Sequence, residues 1–420
     1  MTSPVDAFAA LRLSFVRAFA VARFMSISGQ NITSVAVGWH LYELTGSAWA
    51  LGFVGAVELT PVFLLMVVTG NVIDRFPRRN VAMIAHAVLA CASLGLAAIA
   101  WVDGPVGAIF AMLGLVGVSR AFIQPSMGTI MPQLLKPAQF VNANAWISSI
   151  SQIAAISAPA LGGFIVAFGG GAKWAFIVSA LSQVAVIGLL SFIRAVPPPP
   201  SDPESRRTPA QIFAGFGFIR QNPIFLAAIT LDLFAVLLGG AVALLPIYAK
   251  DILHVGPEGL GWLRAAPSAG AVTMTLIVTR LPPWQRPGWV MMCAVLGFGL
   301  ATIGFGLSTN FALSMICLYA SGVCDAVSVV VRTTLEQVIT PDHLRGRVSA
   351  INFVFIGFSN EFGMFESGMT AALFGPVISV VAGGVGTILV VAVVALVWPQ
   401  LHRIGPLHTL RPKDVQPALS

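Results

Sequence analysis

Residues 376–399 read PVISVVAGGVGTILVVAVVALVWP, an apolar run without a single charged side chain. About 20 such residues are what an α-helix needs to cross the hydrocarbon core of a bilayer, and buried helices of soluble domains rarely sustain a run of that length. The rest of the chain agrees. It has 420 residues, of which 57% are hydrophobic and 9% charged, with a mean hydropathy of +0.89. A soluble domain needs roughly 25% charged residues to cover its surface. The composition therefore excludes a soluble enzyme, a nucleic-acid-binding domain and a disordered chain. It leaves a polytopic α-helical membrane protein.

Each span must satisfy its own backbone hydrogen bonds, so each is expected to be a helix. Twelve are expected, over 15–43, 47–71, 80–102, 105–134, 140–168, 173–194, 222–249, 259–281, 288–308, 311–338, 348–374 and 376–399. Turn residues separate them, among them Thr45-Gly46-Ser47, Asp103-Gly104-Pro105, Gly169-Gly170-Gly171 and Gly375-Pro376. The segment from Ala195 to Arg220, with four consecutive prolines at 197–200 and then a charged run, splits the chain six plus six. The expected organisation is a first six-helix bundle at 1–195, a cytoplasmic linker at 196–220, a second bundle at 221–404 and a cytoplasmic tail at 405–420. The short polar start (Met1 to Phe8) leads into an uncleaved first span. Cys91, Cys293, Cys317 and Cys324 all lie in apolar runs without a CxxC pair, so they read as small core residues.

The net charge of +7 is a topology signal. With the amino terminus inside, seventeen of the 23 Lys and Arg fall on inner segments, and only Lys173 and Lys250 fall outside. That bias places both termini in the cytoplasm. Four arginines remain at membrane depth: Arg23, Arg120, Arg264 and Arg332. Five acidic residues join them: Glu58, Asp232, Asp325, Glu361 and Glu366. Each such charge costs about 2.5–3.5 kcal/mol on insertion scales. Arg23 and Arg264 lie near expected helix ends and can snorkel to the headgroups. Arg120, Asp325 and Glu361 lie about fifteen residues from the nearest end, close to mid-bilayer at 1.5 Å per residue.

The halves are weakly self-similar. Leu51-Gly52-Phe53-Val54 matches Leu260-Gly261-Trp262-Leu263 at an offset of 209, which also maps Arg23 onto Asp232. Gly117-Val118-Ser119-Arg120 matches Gly322-Val323-Cys324-Asp325 at an offset of 205. Duplicated six-helix halves around a midplane site are a transporter signature. At two equivalent positions the first half is basic and the second acidic, and these charges are expected to face one another across the seam. Polar stripes at helical spacing run through span 1 (Arg23, Ser26, Gln30, Thr33 or Ser34), span 5 (Asn144, Ser148, Ser151, Gln152) and span 10 (Asp325, Ser328, Arg332), and Arg332 and Glu336 are i,i+4 neighbours. Such stripes either line a polar cavity or glue helices together.

Several segments resemble the major facilitator superfamily. Gly70-Asn71-Val72-Ile73-Asp74-Arg75-Phe76-Pro77-Arg78-Arg79 is similar to the family's loop between spans 2 and 3, with Pro77 where the family has glycine. The resemblance implies that Asp74 caps neighbouring helix ends and that Arg75, Arg78 and Arg79 latch the two halves on the cytoplasmic side. Ala158-Pro159-Ala160-Leu161-Gly162-Gly163 resembles the family's exporter motif. Arg120 resembles a membrane-embedded arginine implicated in proton coupling. Thr340-Pro341-Asp342-His343-Leu344-Arg345-Gly346-Arg347-Val348-Ser349-Ala350-Ile351-Asn352, followed by Ser359-Asn360-Glu361-Phe362-Gly363, resembles the branch that holds enterobactin exporters and macrolide efflux proteins. The implied fold is an all-α membrane protein of twelve transmembrane helices in two pseudo-symmetric six-helix bundles, with spans 1, 4, 7 and 10 lining a central cavity.

Many relatives carry an acidic residue where this chain has Gln30-Asn31, so proton coupling is expected to use another carboxylate. Asp232 and Asp325 are the leading candidates and Glu361 the next, with Glu58 and Glu366 as further cavity carboxylates. The alternative for each is a static ion pair that fixes helix packing. Gln30, Asn31, Trp39, Phe353 and Phe358 are candidate solute contacts, or packing residues. Arg23, Arg120 and Arg332 would give the cavity positive character, suiting an anionic or catecholate solute.

The reading is a secondary active exporter of the bacterial inner membrane, working by alternating access with proton antiport on a small amphipathic, siderophore-like solute. The alternatives are a macrolide or multidrug pump, a lipid flippase and a non-transporting sensor. No Walker, His-Glu-x-x-His or Gly-x-Ser-x-Gly motif occurs. No enzyme activity, cofactor, metal or nucleic-acid partner is expected. The expected partners are a small-molecule substrate, protons and membrane lipids, with the protein a monomer.

Overall fold

The computed structural model describes residue 8, residues 10–197 and residues 216–406. Twelve long helices account for the twelve expected spans. In chain order they are α1 (Ser14–Thr45), α2 (Ala48–Arg75), α3 (Arg78–Trp101), α4 (Val106–Leu134), α5 (Pro137–Phe168), α6 (Ala172–Ser191), α7 (Pro223–Leu238), α8 (Gly256–Val278), α9 (Pro287–Leu307), α10 (Phe311–Ile339), α11 (Asp342–Phe374) and α12 (Pro376–Val397). Among the described residues nine segments are long and apolar enough to cross a membrane by themselves. The other three, α1, α8 and α11, hold much of the polar inventory, including Arg23, Gln30, Arg264, Asn352 and Glu361.

The ends follow from local chemistry. Gly46 closes α1 at φ 57°, and its N–H caps the Tyr42 carbonyl. Asn310 opens α10 by accepting from the Leu313 N–H at 3.1 Å. Pro287 and Pro376 start α9 and α12, where a missing N–H costs nothing.

One span departs from expectation. Instead of a continuous helix over 222–249, α7 stops at Leu238. The chain continues through Gly239-Gly240, short turns at Ala241–Leu244 and Leu245–Ile247, and a π-turn at Tyr248–Ile252. Two consecutive glycines weaken a helix. They also permit a close approach: a Cβ on Gly240 would sit 2.8 Å from the Gly363 carbonyl oxygen on α11. The Tyr248 hydroxyl then anchors the π-turn by donating to the Gly306 carbonyl at 2.8 Å.

The chain divides into two compact units. One comprises 1–46, 56–204 and 255–265; the other comprises 47–55, 205–254 and 266–420. The core of the first draws Phe19, Leu89, Met127, Ala143 and Leu190 from α1, α3, α4, α5 and α6. The core of the second draws Leu231, Met291, Leu335, Val348 and Val394 from α7 and α9 to α12.

Helices in lipid associate through close packing of small residues, because burial from hydrocarbon offers no hydrophobic gain. The two units use equivalent glycines for this. In the first, a Cβ on Gly117 of α4 would collide with the Glu58 carbonyl of α2; in the second, one on Gly322 of α10 would collide with the Pro267 carbonyl of α8. These are the residue pairs that the offsets of 205 and 209 equate. In the second unit Gly52 lies on Gly368, a Cβ there falling 2.9 Å from its Cα. In the first Gly163 lies on Gly261 at the same separation.

Candidate functional site

Asp232 on α7 and Arg332 on α10 form an ion pair buried inside the second unit. Asp325 and Ser328, two turns and one turn before Arg332, line a small cavity with Asp232, Val295, Phe298 and Cys324. The Ser328 hydroxyl is buried there without a hydrogen-bond partner. The helical stripe Asp325–Ser328–Arg332 thus presents one face to Asp232. One turn beyond Arg332, the buried Glu336 carboxylate accepts from Asn352 Nδ2 at 2.7 Å and from the Ser349 hydroxyl, both on α11.

In the first unit Arg120 on α4 pairs with Glu58 on α2. The glycine approach one turn earlier, Gly117 on Glu58, is what brings these backbones within reach. Arg23 donates to the Gln124 amide oxygen at 3.3 Å. Asp232 pairs with Arg332 and Arg120 with Glu58, each inside its own unit.

The remaining candidates fall as follows. Gln30 and Asn31 turn back onto their own helix, donating to the Ser26 and Ile27 carbonyls at 3.1 and 3.0 Å. Trp39 is buried, and Phe358 stacks on Phe362 with ring centroids 5.1 Å apart. The side chain of Phe353 lies outside the described residues. Glu361 and Glu366 lie on α11, and the Glu361 carbonyl abuts Gly55. Gly70, Asp74 and Arg75 are part of α2 itself, with Asp74 and Arg75 exposed. Arg78 donates to the Thr129 carbonyl in the last turns of α4 at 3.2 Å, and Arg79 to the Ile193 carbonyl beyond α6 at 2.9 Å. Arg79 thus caps a carbonyl end, where a helix dipole favours a cation. Pro159 and Gly162 lie inside α5, where Gly162 packs against the Ile32 backbone of α1.

Two polar clusters escape a reading of the sequence. One is Glu336 with Ser349 and Asn352; its only signal is the i,i+4 spacing from Arg332. The other is in the first unit. His86 of α3, fully buried, shares a 2.8 Å hydrogen bond with the Gln183 amide oxygen of α6. Nearby, Ser179 donates to the Gly29 carbonyl at 2.9 Å and accepts from Thr33 at 2.7 Å. Thr33 belongs to the span 1 stripe and Ser179 and Gln183 are i,i+4 neighbours on α6, but the sequence gives no sign that they meet His86 and Gly29.

Comparison with known proteins fits this arrangement. The enterobactin exporter EntS of Escherichia coli O1:K1 / APEC is 28% identical over 389 residues, covering 92% of this chain and 92% of the relative, and that of Shigella boydii serotype 18 matches equally. A bacterial homologue of the human lysosomal transporter Spinster, in an inward-facing and occupied conformation, superposes with a TM-score of 0.71 at 13% identity, covering 96% of this chain and 98% of that one. A peptide transporter POT in complex with sulfate gives 0.71 at 14% identity, covering 93% and 96%. At such identities the structures speak for the fold alone. The description Major Facilitator Superfamily matches residues 19–364. The chain belongs to the Major Facilitator Superfamily, and is a multi-pass membrane transport protein rather than an enzyme.

Proposed function

We propose that the protein is a secondary active exporter that moves a small amphipathic, siderophore-like solute out across the bacterial inner membrane, driven by protons moving in. Both termini face the cytoplasm, as the seventeen-to-two placement of cations supports. The two six-helix halves, 1–195 and 221–404, rock as bodies about the linker and work as a monomer in lipid. Export of this solute class is supported by the likeness to enterobactin exporters along 92% of both chains.

The observation that carries the coupling is the shared cavity of Asp232 and Asp325. One arginine, Arg332, balances one carboxylate. Among the described residues no cation pairs with the second carboxylate, which leaves a proton to balance it. Desolvation favours the neutral acid and a neighbouring arginine favours the ionised one. Wetting the cavity from one side and then the other changes both terms, so a proton loads on one side and leaves on the other.

The pairing of Arg120 with Glu58 and of Arg332 with Asp232 favours a second reading, a macrolide-type pump, because it removes much of the positive field that an anion would seek. Everted vesicles separate the two. A catecholate siderophore and a macrolide are offered with an inside-acid gradient, with and without its collapse. Uptake of the siderophore alone supports the first reading, and uptake of the macrolide alone the second.

In the same vesicles Asp325→Asn is expected to lower gradient-driven uptake at least tenfold while leaving the amount and monodispersity of the protein unchanged. Coupling retained in that variant would remove Asp325 from the mechanism.

A further inference from the structure

Where α10 meets α11, a cavity of about 660 Å³ opens in the second unit. Its volume is in the range that holds small-molecule ligands. Glu336 forms its buried acidic wall, with Ser349 and Asn352 beside it, Thr333 at an exposed edge, and Val338 and Ile356 as apolar lining.

A carboxylate offers about four acceptor positions. Ser349 and Asn352 each occupy one, on different oxygens of Glu336. Each oxygen therefore keeps a position for a further donor. Arg332, one turn away, pairs with Asp232 while its charge also reaches Glu336, and among the described residues Glu336 makes no ion pair. The two α11 donors also fix the carboxylate plane, so the remaining acceptor positions are held in a set direction. A rigid, two-oxygen acceptor beside an apolar wall suits a ligand end that presents two donors on an apolar frame.

We infer that this cavity binds the hydrogen-bond-donating end of the transported solute, either vicinal hydroxyls or a protonated amine, with Glu336 as the acceptor and Ser349 and Asn352 as positioning residues. The inference rests on the export reading above and adds to it a site on α10 and α11, apart from the Asp232–Asp325 cavity.

The test uses the full chain in detergent, without a pH gradient. Cys91, Cys293, Cys317 and Cys324 are replaced by serine, and Thr333→Cys serves as a reporter for alkylation by N-ethylmaleimide. Four probes compete: 4-butylcatechol and its dimethyl ether, and benzylammonium and benzyltrimethylammonium. The ether and the quaternary ion keep shape but donate no hydrogen bond. At least one donor probe is expected to slow labelling tenfold or more while its methylated twin does not, and Glu336→Gln should abolish the protection. Protection confined to the catechol identifies the ligand end as hydroxyl, and protection confined to benzylammonium identifies it as cationic.

Methylated twins that protect equally, protection that survives Glu336→Gln, or no protection by any probe would each overturn the inference. Should Glu336→Gln not fold, Ile356→Trp fills the cavity from its apolar side and should abolish protection in the same way; protection that persists there overturns the inference too. Because labelling is read without a gradient, its failure leaves the gradient-driven uptake result standing, and the reverse holds as well.

Discussion

Arg332→Ala is expected to destabilise the protein by about 3–5 kcal/mol, the range for stripping one partner from a buried ion pair. Both groups are inaccessible: Arg332 is 3% exposed and Asp232 6%. Removing the cation strands an ionised carboxylate at membrane depth, where each charge already costs about 2.5–3.5 kcal/mol. The comparison that makes this sharp is the double change Asp232→Leu with Arg332→Met. Replacing a buried pair by apolar groups of similar volume is often neutral or stabilising, so the double variant should regain most of the lost stability while failing to couple. Thermal unfolding in detergent reads both. The Arg120–Glu58 pair provides the contrast. Its side chains are 38% and 14% exposed, against 4% and 8% for Arg332 and Asp232, so Arg120→Ala should cost less than Arg332→Ala. A single Arg332→Ala variant as stable as the parent would show that the pair is not the charge-balancing centre of α7 and α10.

Gly322→Ala is expected to abolish accumulation of folded protein. The added methyl would overlap the Pro267 carbonyl oxygen, which belongs to backbone and cannot rotate away. The helices must separate, and overpacking of a closed interface typically costs about 1–3 kcal/mol or more. Here the loss extends along the whole α8–α10 seam, because in lipid that seam is held by close packing rather than by apolar burial. The equivalent change in the first half, Gly117→Ala, meets the Glu58 carbonyl and should behave the same way. Gly114→Ala on the same helix meets nothing within 4 Å and is the neutral control. Fluorescence-detected size exclusion after mild solubilisation is the measurement. A monodisperse Gly322→Ala protein at parental yield would mean that the seam is looser than the structure has it.

The architecture is largely legible in the residues. Apolar runs and their punctuation place the twelve helices closely: α10 is expected at 311–338 and spans Phe311–Ile339, and α12 is expected at 376–399 and spans Pro376–Val397. The repeat is legible too, since Gly117 and Gly322 prove to be equivalent in packing as well as in sequence. The partners of the buried charges are not. A repeat says which positions correspond; it carries no information about which side chain a given carboxylate meets. Asp232 and Arg332 stand 100 positions apart, and only the packing of α7 against α10 joins them. The interruption of α7 was open to a closer reading, because Gly239-Gly240 followed by Pro246 is a breaker pattern inside an apolar run. Its apolar composition continues through the break, and hydropathy does not register the change of backbone.

That interruption changes how force travels along α7. Past Leu238 the regular ladder lapses: the Ala241 N–H bonds the Gly239 carbonyl at 2.7 Å, and the Ala243 N–H reaches the Gly240 carbonyl at 3.3 Å. The rod that bears Asp232 therefore ends before a separate collar that Tyr248 bolts to α9. In mechanical language, α7 is a shaft in two lengths: the regular one that carries Asp232 ends at the glycines, and the one beyond keeps its own seat on α9.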